Sequence, residues 1–165
     1  FGQACTTFVG QNYGAGKNDR CRKTLRLCLL QSAVSTAAVS GLILLFSRPL
    51  LSIFNQDPEV IAAGRIRLEY MFFAYAFSFA QEALSGYLRG FGVSFIPAAC
   101  AVIGICGVRL TWIFTVFQRA PSFATIMQVY PLSLGITAAV ILAVTLLVKP
   151  SRRYVLQPGV QAEHS

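Results

Sequence analysis

The chain has 165 residues, of which 55% are apolar and 12% are charged, and its formal net charge is +8 at pH 7. Soluble domains use about 25% charged residues, so this composition excludes an ordinary water-soluble domain. The five cysteines include no Cys-x-x-Cys pair, and His164 is the only histidine. These counts give no support to a zinc site, a disulfide framework or a histidine-activated nucleophile. We therefore predict no metal, no cofactor and no enzymatic activity.

Three long runs lack any charged side chain: residues 27–47, 90–108 and 120–148. Each is about long enough to cross the hydrocarbon core of a bilayer as a helix. Lipid cannot hydrogen-bond to the backbone, and the alternation that a barrel strand requires is missing. We predict an all-α fold, a polytopic membrane helical bundle with four full transmembrane helices and the end of a fifth.

The predicted elements, in chain order, are the end of a truncated helix (1–10), a turn (11–19) and four spans over about 21–47, 58–89, 95–117 and 122–148. Pro49 ends the first of these spans. Asp57 can cap the second, Pro58 suits its first position, and Glu59 favours the positive end of the helix dipole. Pro131 is predicted to kink the last span and is interpreted either as an ordinary kink or as a hinge.

The positive charges lie between the apolar runs and favour one side of the membrane. The richer side receives Lys17, Arg20, Arg22, Lys23, Arg26, Arg89, Lys149, Arg152 and Arg153. The other side receives Arg48, Arg65, Arg67 and Arg119. By the positive-inside rule the richer side is cytoplasmic. The net charge therefore indicates topology and attraction to anionic membrane lipid, and no nucleic-acid partner is predicted. We place the chain in the cell membrane, with a membrane domain over 1–149 and a disordered cytoplasmic tail over 150–165.

Polar side chains recur at three- and four-residue steps along the second span and so share one face. They are Tyr75, Ser78, Glu82, Ser85 and Arg89. Such a stripe cannot favourably face lipid, so it should face the bundle interior or a water-filled cavity. Glu82 is interpreted either as an ion or proton site or as a side chain fixed by neighbouring polar groups. The predicted cavity set is Tyr75, Ser78, Gln81, Glu82 and Ser85.

Arg109 lies well inside the third predicted span, where an unpaired arginine is costly. By residue rise, Glu69 of the antiparallel second span lies about 7 Å away in depth, within reach of a long arginine side chain. We predict a structural charge pair between Glu69 and Arg109, or snorkelling of Arg109, in preference to a direct substrate contact.

Small residues recur every four positions on two of the predicted spans. They are Ser32, Thr36 and Ser40 on the first, and Cys100 and Gly104 on the third. Such spacing permits close approach of two helices. We interpret both sets as packing residues.

The glycine-rich segment before the first span superficially resembles a phosphate-binding loop. The interval from Gly10 to Gly16 is one residue too long, and Asn18 replaces the Ser or Thr that would bind magnesium. We reject nucleotide binding and predict a tight cytoplasmic turn between two close helices. Its residues are Gly10, Gln11, Gly14, Gly16 and Arg20.

Several segments together resemble one family of membrane proteins. They are Gly10-Gln-Asn-Tyr-Gly-Ala-Gly-Lys-Asn-Asp-Arg20, Gly86-Tyr-Leu-Arg-Gly-Phe-Gly92 with Ser94 and Pro97, Gly104-Ile-Cys-Gly-Val-Arg-Leu-Thr-Trp112, and Tyr130-Pro131. In order and spacing they are similar to the later part of the multidrug and toxic compound extrusion (MATE) transporters. The resemblance implies a twelve-helix, two-lobe protein of which this chain is most of the C-terminal lobe. The missing N-terminal lobe would then be its main partner.

The resemblance also implies a function, export of small organic cations or other amphiphilic compounds in exchange for H⁺ or Na⁺. One branch of the family has an aspartate where this sequence, aligned through Gln81 and Arg89, has Ser78. Either Glu82, one turn away on the same face, substitutes for it, or the coupling acid lies in the absent lobe, so the coupling ion stays open. A lipid-linked sugar flippase of the wider superfamily and a non-transporting membrane scaffold are the alternatives.

Overall fold

The computed structural model describes residues 1–54, 56–119 and 122–150. Six helices follow one another in this part of the chain: α1 (Gly2–Gly14), α2 (Asn18–Leu45), α3 (Ser47–Phe54), α4 (Pro58–Gly90), α5 (Phe95–Phe117) and α6 (Phe123–Val148). No strand occurs within those ranges. The all-α prediction is confirmed there. The predicted disordered tail lies outside the described residues beyond Pro150.

Three of the described helices, α2, α5 and α6, are long and apolar enough to cross a membrane by length and composition. The 33-residue helix α4 is long enough but is not among them. Glutamate, glutamine and arginine side chains interrupt its apolar sequence, as its polar stripe requires. The count of four full spans therefore stays a prediction.

The helix boundaries around the glycine-rich turn differ from the prediction. Helix α1 continues to Gly14, so Gly10 and Gln11 are helical, and α2 begins at Asn18, which places Arg20 inside α2. The turn itself is only residues 15–17. A helix tolerates glycine at a cost of about 1 kcal/mol, so the glycines at 10 and 14 do not end α1.

Gly16 makes this short turn possible. Its φ of 70° lies in the left-handed region that favours glycine. The Gly16 N–H donates to the carbonyl of Tyr13 at 2.9 Å, and the Lys17 N–H donates to that of Asn12 at 2.8 Å. These bonds satisfy carbonyls at the end of α1 and allow the chain to reverse at once into α2.

Short helix α3 was not predicted. Helix α2 ends at Leu45, before Pro49, and Pro49 lies in the first turn of α3, where its missing N–H costs nothing. The prediction that Pro49 ends the first span was therefore wrong. The predicted start of α4 is confirmed, because the Asp57 side chain accepts a hydrogen bond of 3.0 Å from the Glu59 N–H.

Helix α4 lies at the centre of the bundle, in contact with α1, α2 and α6. The buried apolar core is concentrated toward the C-terminal end of α4. One cluster joins it to α1 and α2, and its buried members are Cys5, Val9, Cys21, Cys28, Tyr87 and Phe91. A second joins it to α6 through Leu84, Leu88 and Ile141. The polar part of α4 adjoins this core.

Two glycines of α4 allow α1 to approach closely. A Cβ at Gly86 would lie 2.5 Å from the carbonyl oxygen of Gly2, and one at Gly90 would lie 2.6 Å from the Cβ of Val9. The Thr6 hydroxyl donates to the carbonyl of Gly86 at 3.2 Å across the same contact. The glycine-rich segment at the end of α4 is therefore a helix-packing surface.

Candidate functional site

The polar stripe of α4 opens onto a cleft between α1, α2 and α4. The cleft has a volume of about 210 Å³, and its walls include Gly2, Ser32, Thr36, Tyr75, Ser78 and Glu82. Three of the five predicted cavity residues are thus brought together: Tyr75, Ser78 and Glu82. Gln81 and Ser85 are not among the lining residues, and Ser85 is buried.

Among the described residues that line this cleft, Glu82 supplies the only carboxylate. Its Oε1 accepts a hydrogen bond of 2.7 Å from an Nη of Arg89, which lies seven residues later on the same helix. The Glu82 side chain is 55% exposed and that of Arg89 is 34% exposed. The backbone of Gly2 lies directly against Glu82, because a Cβ at Gly2 would collide with the carboxylate. The carboxylate is therefore held by Arg89, confined by α1 and still open to the cleft.

Two hydroxyl residues of α2 complete the cleft and were missed as site residues. Ser32 and Thr36 were interpreted as packing residues, yet both line the cleft opposite the stripe of α4. The Ser32 Oγ is buried and makes no hydrogen bond to the residues that the structure describes. The signal was present in the sequence, because hydroxyl side chains at positions 32, 36 and 40 form a second polar stripe.

The predicted pair of Glu69 with Arg109 is not formed. Glu69 lies 3.2 Å from Arg65, one turn earlier on α4. Arg109 donates from Nε to the Ser133 hydroxyl at 3.3 Å, and its guanidinium lies 4.6 Å from the centre of the Tyr130 ring. Residue rise gives depth but not the direction in which a side chain points, and Arg109 turns to α6.

A comparison with known protein families identifies the family of the chain. The model of the MatE family matches residues 1–115, which include the glycine-rich turn, the whole cleft and Arg109. The chain belongs to the MATE family. The family consists of membrane-embedded transporters and not of enzymes.

Relatives of the MATE chain carry names that refer to drug resistance. A "Probable multidrug resistance protein NorM" of Thermotoga maritima is 28% identical over 115 residues, or 70% of this chain. A protein of the same name from Chromobacterium violaceum is 29% identical over 57% of the chain, and the "Probable multidrug resistance protein YoeA" of Bacillus subtilis is 24% identical over 66%. The matched segments make up 25%, 20% and 24% of these relatives. No solved structure matches the chain.

The MATE match stops before α6, which contains Tyr130 and Pro131. Helix α6 runs without interruption from Phe123 to Val148 through Pro131. The hinge at Pro131 stays a prediction.

The two residues of α6 that contact Arg109 are hydrogen-bonded to each other. The Ser133 hydroxyl donates to the carbonyl of Tyr130 at 3.1 Å.

We expect the Tyr130 ring to stabilise the contact between α5 and α6. Tyr130→Leu removes the aromatic face beneath Arg109 and should lower the free energy of unfolding by about 0.5–2 kcal/mol, the range of cation–π contacts. Tyr130→Phe retains the ring and should unfold at the wild-type temperature. Thermal unfolding of both variants of the complete protein in detergent is the measurement. If Tyr130→Phe and Tyr130→Leu lower the unfolding temperature equally, the effect belongs to the hydroxyl group, and the cation–π contact is contradicted.

Proposed function

We propose that this chain forms most of the C-terminal lobe, over residues 1–149, of a MATE antiporter. The transporter exports small organic cations and other amphiphilic compounds in exchange for H⁺ or Na⁺. The observation that carries the proposal is the cleft that brings the Glu82 carboxylate together with the hydroxyls of Ser32, Thr36 and Ser78. The names of the relatives support drug export as the direction of transport.

The Glu82–Arg89 pair suggests how the cleft exchanges cations. A cation that enters the cleft competes with Arg89 for the Glu82 carboxylate, since both are attracted to the same oxygen atoms. When the cation leaves, Arg89 takes its place again. A proton, Na⁺ and an organic cation can therefore use one carboxylate in turn, and only one of them occupies it at a time.

The side chains around Glu82 suit two kinds of ligand, a small ion and an organic cation. Ser32, Thr36 and Ser78 offer oxygen ligands to a small ion, whereas Tyr75 and Phe79 offer aromatic faces to an organic cation. In the proposed transporter, the N-terminal lobe covers the open side of the cleft, and the basic turn at 15–17 and the tail face the cytoplasm. Alternating access then proceeds by movement of the two lobes around this site.

The test is transport by the complete protein reconstituted in liposomes. We expect accumulation of a fluorescent organic cation when an opposing H⁺ or Na⁺ gradient is imposed, and the effective gradient identifies the coupling ion. Dissipating that gradient with an ionophore should reduce accumulation to the level of protein-free liposomes. Accumulation that responds to neither gradient would contradict the antiport mechanism.

A further inference from the structure

A second cleft lies at the basic end of the bundle, between α2, α4 and α6. It has a volume of about 380 Å³ and does not share a lining residue with the cleft around Glu82. Its walls include Arg22, Leu25, Arg26, Tyr87, Leu146 and Lys149. Neither the family match nor the proposed transport cycle assigns a role to it.

The charged side chains of the described residues that line this basic cleft are all positive. Arg22 and Arg26 lie one turn apart on α2, and Lys149 joins them from the end of α6. None of the described residues that line the cleft is acidic. Arg26 and Lys149 are exposed and form no ion pair with any acidic side chain in the described part of the chain. By contrast, Arg65 and Arg89 each have a glutamate partner.

The backbone at the end of α6 places Lys149 at the cleft. Lys149 has a φ of 44°, in the left-handed region where glycine is usual. Its N–H donates to the carbonyl of Thr145 at 3.1 Å, and the next residue, Pro150, is fully buried in the cleft wall. The chain therefore turns sharply at the point where a lysine joins two arginines.

An apolar surface continues from the cleft along α6, away from the C-terminal end of that helix. Leu25 and Leu146 line the cleft itself. Leu142, one turn before Leu146 on α6, is 45% exposed, and Leu146 is 60% exposed. A free phosphate ion would not contact this apolar surface, whereas the acyl chain of a lipid would cover it.

We propose that this cleft binds the phosphate-bearing headgroup of an anionic phospholipid. The two arginines and Lys149 contact the headgroup, and an acyl chain lies along Leu146 and Leu142 of α6. Basic pockets between the ends of membrane helices suit such headgroups. The proposal goes beyond cation export and does not depend on it, because lipid retention can be measured without any transport.

The test measures binding of dioleoyl phosphatidylglycerol to the complete detergent-purified protein by native mass spectrometry. Arg26→Gln and Lys149→Gly should each weaken binding about fivefold, the effect of one cation near an anionic membrane surface. Glycine adopts the left-handed conformation without steric cost, so Lys149→Gly keeps the end of α6 and separates lost binding from lost folding. Lys23→Gln removes an exposed cation of α2 that does not line the cleft, and it should bind like the wild type.

Two controls decide the identity of the ligand. Dioleoyl phosphatidylcholine has the same phosphate and acyl chains without net charge, and it should bind more weakly than phosphatidylglycerol. Inorganic phosphate at the same concentration should not displace phosphatidylglycerol. Equal binding of the two lipids, displacement by inorganic phosphate, or an equal loss in Lys23→Gln would each overturn the proposal.

Discussion

Glu82→Gln is expected to reduce ion-driven export by the complete transporter about 30-fold or more while expression stays unchanged. The amide keeps the size of the side chain but removes the charge that both Arg89 and an incoming cation require. The Glu82 side chain is 55% exposed in this chain, but in the proposed transporter the N-terminal lobe covers the cleft. Loss of one partner of such a covered charge pair costs about 2–5 kcal/mol, which corresponds to that loss of rate. Export of a fluorescent cation from cells, normalised to protein in the membrane, measures the effect.

Glu69→Gln is the matched control for this substitution. Glu69 lies on the same helix, is as exposed as Glu82 and also pairs with an arginine, but it does not line the cleft between α1, α2 and α4. This variant should export at the wild-type rate. Wild-type export by Glu82→Gln would remove Glu82 from the mechanism. Equal losses in both glutamine variants would show a general need for negative charge on α4.

Gly86→Ala is expected to destabilise the contact of α1 with α4 by about 1–3 kcal/mol, as insertion of a methyl group into a well-packed interface does. The added Cβ would lie 2.5 Å from the carbonyl oxygen of Gly2. Because that oxygen belongs to the backbone, no side chain can rotate to make room, and α1 must move away. A lower unfolding temperature of the complete protein in detergent is the expected measurement.

Gly41→Ala supplies the comparison. Gly41 also lies in a long helix, α2, but a Cβ there would meet no atom of the described residues within 4 Å. Alanine has the higher helix propensity, by about 1 kcal/mol, so this variant should unfold at the wild-type temperature or above it. If Gly86→Ala proves equally stable, α1 does not pack against α4 as closely as described.

The sequence predicted those features that depend on one helix alone. The start of α4 followed from Asp57-Pro58-Glu59, since capping is a local property. The stripe of Tyr75, Ser78 and Glu82 followed from helical periodicity, and the structure places these three side chains in one cleft. The all-α class followed from the length of the apolar runs.

Features that depend on two helices were predicted less well. Helix rise placed Glu69 within reach of Arg109 in depth, but rotation about each helix axis directed the two side chains to Arg65 and to Ser133. The role of Ser32 and Thr36 also required the position of α2 relative to α4. Short helix α3 and the exact end of α1 were missed because proline and glycine are both permitted in the positions that they occupy there.

The ion pair of Glu82 with Arg89 has a mechanical consequence, because both residues belong to one helix. Unlike an ion pair between two helices, it does not hold helices together. A cation can therefore break it without separating the helices of the bundle. The backbone of α1 at Gly2 lies against the carboxylate and leaves it no room on that side. Exchange of Arg89 for another cation therefore has to take place on the open side of the cleft.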